Sequence, residues 1–233
     1  MQRKMLGGLA LSLVVATCSH GMPSGTRAFG LEDEPQITIR IHDYSRVQPT
    51  VLRQATQAAG DILREIGVMA VWIECGAEPE VRNADCDRPL TPTDFLVSLI
   101  PRSMSRRLRV RNGTLGLAAE PVGEGFGFFA SIFYDDAEEL AHRHQLEIGQ
   151  LLATLITHEV GHLLLGTNSH STRGLMSAFW SAGELRIADQ RNLTFSTGEM
   201  RRIRVNLNRR RAAYEMVEMA TRATAASLEQ GFR

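Results

Sequence analysis

Residues 158 to 170 hold the side chains of this chain that could do chemistry together. The run His158-Glu159-Val160-Gly161-His162 is followed by Gly166 and His170. On an α-helix each residue advances about 100°, so histidines four apart project from one face, one turn from each other. Two imidazole nitrogens can then share a single tetrahedral ion, and zinc suits nitrogen ligands in that geometry. Glu159 leaves the helix beside them, placed to take a proton from a zinc-activated water rather than to hold the metal. If the helix ran on, His170 would stand about 12 Å further along the axis than His162. Gly166 ends the pattern, because glycine takes the left-handed cap conformation without a Cβ clash. Thr167, Asn168 and Ser169 are turn formers that can swing the chain back and bring in His170 as a third ligand. Three protein ligands with a fourth position open is the catalytic zinc arrangement; a structural site closes all four.

Rival ligands are weaker. His142 and His144 sit among Glu138, Glu139 and Arg143, which reads as an exposed helical face. Glu184 follows His162 at a distance that a second-helix ligand could use, but its neighbourhood Gly183-Glu184-Leu185-Arg186 offers no supporting pattern. Asp189 has less in its favour.

The string His158-Glu159-x-x-His162, the glycine break, His170 and the later Gly174-Leu175-Met176-Ser177 together resemble the metzincin clan of zinc peptidases. His170-Ser171 and the helix start Phe195-Ser196-Thr197-Gly198-Glu199 resemble its matrixin branch. The resemblance covers about residues 145 to 212. It implies a methionine turn in which Met176 forms an apolar floor beneath one catalytic Zn2+ held by His158, His162 and His170. It also implies peptide-bond hydrolysis with Glu159 as general base. One departure is plain: the clan places two residues on each side of the glycine, whereas three stand in each gap here. The lengthened spacing points to a divergent family rather than a true matrixin. The alternative is an exported zinc-binding protein of the same fold without proteolytic activity.

The surroundings fit export. Met1 to Lys4 are basic and Met5 to Ala16 form an uncharged apolar run, the length of a signal-peptide core and too short to span a bilayer. Residues 1–28 are therefore expected to be a signal peptide, cleaved between about Ala16 and Ala28. A lipid anchor at Cys18 is disfavoured by the threonine before it. The remaining residues, 35–233, are enough for a single zinc metallopeptidase domain that is secreted or periplasmic. Cys75 and Cys86 flank a stretch with Gly76, Pro79 and Asn83, and in an oxidising compartment they would close that loop as a disulfide. Two buried free thiols are the competing reading. Beyond the leader no segment reads as a transmembrane span. Expected partners are peptide or protein substrates and the chain is expected to be a monomer. Formal net charge is zero, and no aromatics interleave the basic residues, which argues against nucleic acid.

The elements that must position the site follow from periodicity. Gln36–Ile41 alternates as a strand, Pro49–Ile66 is an amphipathic helix ended by Gly67, and Val68–Glu74 and Phe95–Ile100 are further strands. Thr114–Ala119 and Phe126–Tyr134 are the next two, the latter a core strand or a sheet edge where an extended substrate could pair. Gly123, Gly125 and Gly127 read as a hairpin rather than a phosphate loop. The helix bearing His158 starts near Asp135 or Asp136, or later around Gln145. Ser196 and Glu199 form a capping box for a C-terminal helix with Met200, Ile203, Leu207, Tyr214 and Val217 on its apolar face. Arg201, Arg202, Arg204, Arg209, Arg210 and Arg211 occupy its solvated one. The expected fold is α+β and metzincin-like. It has a twisted mixed sheet with an active-site helix, then a methionine turn and a C-terminal helix.

Overall fold

Strand β1 (Gln36–Asp43) follows the alternation of its sequence, burying Ile37, Ile39 and Ile41. Helix α1 (Pro49–Glu65) begins with proline in its first turn, where a missing N–H costs nothing, and buries Leu52, Ala55, Ala58, Ile62 and Leu63. Gly67, at φ +72°, turns the chain into β2 (Met69–Cys75), which pairs parallel to β1. Strand β3 (Asp94–Ile100) pairs parallel to the other side of β1, and β5 (Phe129–Phe133) parallel to β3. The short β4 (Gly116–Ala118) is antiparallel to β5, giving the order β2-β1-β3-β5-β4. This is a mixed sheet in an α+β fold, as the strand pattern predicts.

The computed structural model describes residues 35–76, 83–108, 110–111, 113–119, 126–166, 169–190 and 193–231, with backbone alone from 223. The expected signal peptide, Gly123 and Gly125, and the turn residues Thr167 and Asn168 lie outside these. Residues 34–233 cluster as one compact unit.

Two expectations are corrected here. Phe126–Tyr134 does not supply a sheet edge: β5 lies between β3 and β4, and among the described residues the edge strands are β4 and β2. The earlier of the two starts expected for the helix bearing His158 belongs to a separate helix, and the later one, around Gln145, is within three residues of the observed start. Helix α3 (Tyr134–His144) stops where Gln145 adopts φ +56°, and α4 (Ile148–Leu165) starts afresh. The Asp189 carboxylate accepts from the Glu147 N–H at 2.8 Å, meeting one of the free N–H groups at that start.

Helix α4 is the centre of the molecule. It packs against α1, α3, β3, β4, β5, α5 (Ala182–Asp189) and α6 (Thr197–Gly231). Its 18 residues have a mean hydropathy of 1.2, so by length and composition it could cross a membrane, contrary to the expectation that nothing beyond the leader could. It is a core helix instead, 89% buried.

Buried charge secures two flanks. Cys75 and Cys86 are disulfide-bonded, and the loop they close is fastened by Arg40. Its guanidinium donates to the carbonyls of Cys86, Arg88 and Pro89 and to Asp94 at 3.0 Å. Asp94 also accepts two bonds from Arg88 and one from the Thr91 N–H. On α6, Arg210 corrects its expected solvated place: it is 1% exposed. It donates to the carbonyls of Pro92, Gly127 and Leu163 at 2.6–2.9 Å, and lies within 5.4 Å of the ring centres of Phe95, Phe126 and Phe128. Three acceptors and three aromatic rings substitute for the water a guanidinium would otherwise keep. Burial pulls its pKa down to about 10. Ile203 and Leu207 are buried as expected, but Tyr214 and Val217 are exposed, because α6 by then has left the body.

Candidate metal centre

Helix α4 delivers His158, Glu159 and His162 to one place. His158 is buried, and its Nδ1 meets the Leu175 carbonyl at 2.7 Å. A carbonyl only accepts, so the hydrogen of this ring is on Nδ1 and its Nε2 carries a lone pair. That Nε2 lies 3.0 Å from Nε2 of His162. On the far side of the second ring, Nδ1 of His162 meets the Ser169 hydroxyl at 2.6 Å.

The third histidine joins them. Gly166 leaves the helix at φ +84°, its N–H still bonded to the His162 carbonyl at 2.9 Å. The chain re-enters at Ser169 and His170. Ring nitrogens of His158, His162 and His170 all lie within 4.8 Å of one another, one nitrogen from each. His170 is the exposed member of the three.

Beneath them runs a tight turn. The Ser177 N–H bonds to the Gly174 carbonyl at 3.1 Å, and the Ser171 N–H to the Met176 carbonyl at 2.8 Å. Met176 is fully buried against Gly161, where an added Cβ would fall 2.5 Å from its sulfur and 3.0 Å from Phe195. Only glycine leaves α4 room for that sulfur. Trp180 stands edge-on to His158, with ring centres 5.3 Å apart, and its indole N–H donates to the Gly174 carbonyl at 3.3 Å.

Glu159 points toward the sheet edge. Its carboxyl packs against Gly116 of β4, where a Cβ would overlap a carboxylate oxygen, and it accepts from the Ala118 N–H. Burial pushes this carboxyl up to about 8, against the lowering effect of that N–H. Burial also pulls His158 down to about 4, the Leu175 bond opposing it, and His162 down to about 3, aided by its histidine neighbours. Neutral imidazoles are what a metal requires.

These donors fit zinc. Two neutral Nε2 atoms 3.0 Å apart need a proton or a cation between them. Tetrahedral nitrogens about 2.0–2.1 Å from a shared zinc are roughly 3.3 Å apart, close to that separation. The nitrogen-only donor set is of the kind zinc takes.

The rival residues are elsewhere. His142 and His144 are exposed on α3. The Glu184 carboxylate accepts from the Ser181 N–H and hydroxyl at 2.8 Å, capping α5, and Asp189 caps α4. Ser169 and Gly116 were missed as site residues. Serine before a histidine reads as a turn and glycine in a short strand as a weak one, and no pattern in the sequence gives either contact.

No family model and no curated protein matches this chain. Solved structures similar to it include two metalloproteins. One is archaemetzincin from Methanopyrus kandleri, 14% identical over 74% of this chain and 96% of that one, with a TM-score of 0.45. The other is metalloproteinase-II from Bacteroides fragilis, 12% identical over 73% of this chain, with a TM-score of 0.44; this chain spans about half its length (52%). Both likenesses are loose, and the roles assigned below rest on the geometry of this chain.

Proposed function

We propose that the chain is a zinc-dependent endopeptidase acting outside the cytoplasm, formed by residues 35–233 as one domain after loss of a signal peptide within residues 1–28. The convergence of His158, His162 and His170 beside Glu159 carries this reading. The three histidines would hold one Zn2+, His158 and His162 through Nε2. When bound, zinc lowers the pKa of a water and polarises the substrate carbonyl. Glu159 takes the proton of the attacking water and passes it to the leaving amine, base first and acid second. The slot at Gly116 and the Ala118 N–H orient its carboxylate for both transfers. Met176 fills the space under α4 and keeps the His158 and His162 backbone from sinking. An extended peptide lying along the free edge of β4 would run beside Glu159, with main-chain hydrogen bonds holding it. The Cys75–Cys86 disulfide supports an oxidising compartment, and the chain works as a monomer.

Zinc content and cleavage of an unfolded protein, measured on the same samples, test the reading. The parent should hold one zinc and cut; His170→Ala should lose zinc after identical dialysis. Glu159→Gln should keep zinc and lose about 10²–10⁴-fold in turnover. Full zinc with no cleavage would leave a zinc-binding protein without peptidase activity. Absence of zinc from the parent would overturn the site.

A further inference from the structure

The two α4 histidines are held by different kinds of atom. His158 is fixed by a carbonyl, which admits a single tautomer. His162 is held by the hydroxyl of Ser169, a buried side chain whose oxygen lies 2.6 Å from its Nδ1. A hydroxyl donates as well as accepts.

That difference matters because of the 3.0 Å approach of the two Nε2 atoms. Without a cation, one of them must carry a hydrogen. His158 cannot, since its hydrogen is committed to Leu175. His162 therefore donates from Nε2 to His158, and its Nδ1 accepts from Ser169. With a cation both Nε2 atoms must offer lone pairs, so the His162 hydrogen moves to Nδ1. The Ser169 hydroxyl then rotates and becomes the acceptor. A carbonyl or a carboxylate could serve the second state alone.

We propose that Ser169 is a positioning residue for the metal centre: its hydroxyl holds the His162 ring in both tautomers and ties the segment bearing His170 to α4. This rests on the zinc reading above. It also gives the lengthened spacing a use, since the third residue after Gly166 is the one that turns inward to the second histidine.

The test compares Ser169→Ala, Ser169→Thr and Ser169→Val with the parent, each titrated with zinc against a chromophoric chelator. Thr and Val have the same shape and differ in the hydroxyl, so their comparison survives any packing defect that Ala introduces. Val and Ala should bind zinc about 10–100-fold more weakly than the parent and Thr, the range found for lost outer-shell partners of metal histidines. In the metal-free proteins Val should unfold at a lower temperature than Thr, because the hydroxyl also donates to the His162 ring when no cation is present. In the cobalt-substituted proteins the visible absorption of Val should differ from that of Thr. Equal zinc affinities for Thr and Val overturn the proposal while leaving the three-histidine site intact. A parent that binds no zinc overturns the site itself.

Discussion

Gly116 governs Glu159 by having no side chain. A methyl group there would overlap the carboxyl of Glu159 and lie 2.8 Å from its Cγ and Cδ. The carboxylate is therefore placed by steric exclusion on one side and by the Ala118 N–H on the other. On the reading proposed above, Gly116→Ala pushes the base off its position without touching a histidine. Displacing a catalytic group by about 1 Å costs on the order of 10²-fold in rate. The expected result is one zinc per chain, as in the parent, with kcat lower by about that factor and KM little changed. Loss of zinc in this variant would mean that β4 supports the ligands rather than the base. Gly161 is the companion case: there the missing Cβ makes room for the Met176 sulfur.

Between β1 and β3, and over the disulfide loop, the stabilising feature is the ion cluster of Arg40, Arg88 and Asp94. Burial raises the Asp94 pKa, but the bonds from Arg88 and the Thr91 N–H, with the charges of Arg88 and Arg40, outweigh it and leave the carboxyl below its ordinary 3.8. A carboxyl depressed on folding adds stability above its unfolded pKa and loses it as pH falls through the folded one. Asp94→Asn should therefore cost about 3–5 kcal/mol near pH 7, because Arg40 stays buried without its partner. The gap to the parent should close only as pH falls through the depressed folded pKa, below the ordinary 3.8, where the parent's Asp94 also becomes neutral. Urea unfolding at several pH values reads this directly, and a gap that persists in acid would refute the ionic account. Much of this element level was legible in the sequence. Gln36–Ile41, Pro49–Ile66 and Phe95–Ile100 alternate or cycle clearly enough to give strands and a helix within a residue or two of their ends. The order of the sheet was not legible, since Thr38 meets Asp94 across more than fifty residues and no local pattern encodes that pairing. A start around Gln145 was one of the two readings open for the helix bearing His158, but the left-handed Gln145 that separates α3 from α4 carries no signature of its own. Ser169 escaped because its contact depends on where a short loop lands.

The molecule as a whole is gathered by α6 acting through Arg210. The helix is about 52 Å long at 1.5 Å per residue, and Ile203, Leu207 and Arg210 anchor it. Their spacing of four and three residues already puts Arg210 on the buried stripe; its charge alone argued for the solvent face. One guanidinium joins the end of α4, the approach to β3 and the approach to β5. Arg210→Ala should leave three carbonyls without partners, at about 1–3 kcal/mol for each that water does not reach. Differential scanning calorimetry should show a fall of several degrees, and Arg210→Lys should not restore it, because an ammonium cannot span three separated acceptors while stacking on phenylalanine. An unchanged melting temperature would remove Arg210 as the fastener. If the chain is exported as proposed above, the apolar composition of α4 has a last consequence, for its passage across a membrane. Any polypeptide threaded through a translocation channel is sampled by the lipid at its side, and an 18-residue helix of mean hydropathy 1.2 is near the point of being retained there. A carboxylate at mid-helix opposes that partitioning by about 2.5–3.5 kcal/mol, the figure for aspartate at a helix centre. Glu159, past the midpoint of α4 with His158 and His162 on either side, is its sole formal charge. The group proposed to move protons in the finished protein would also be the one that lets the unfinished chain pass the bilayer instead of lodging in it.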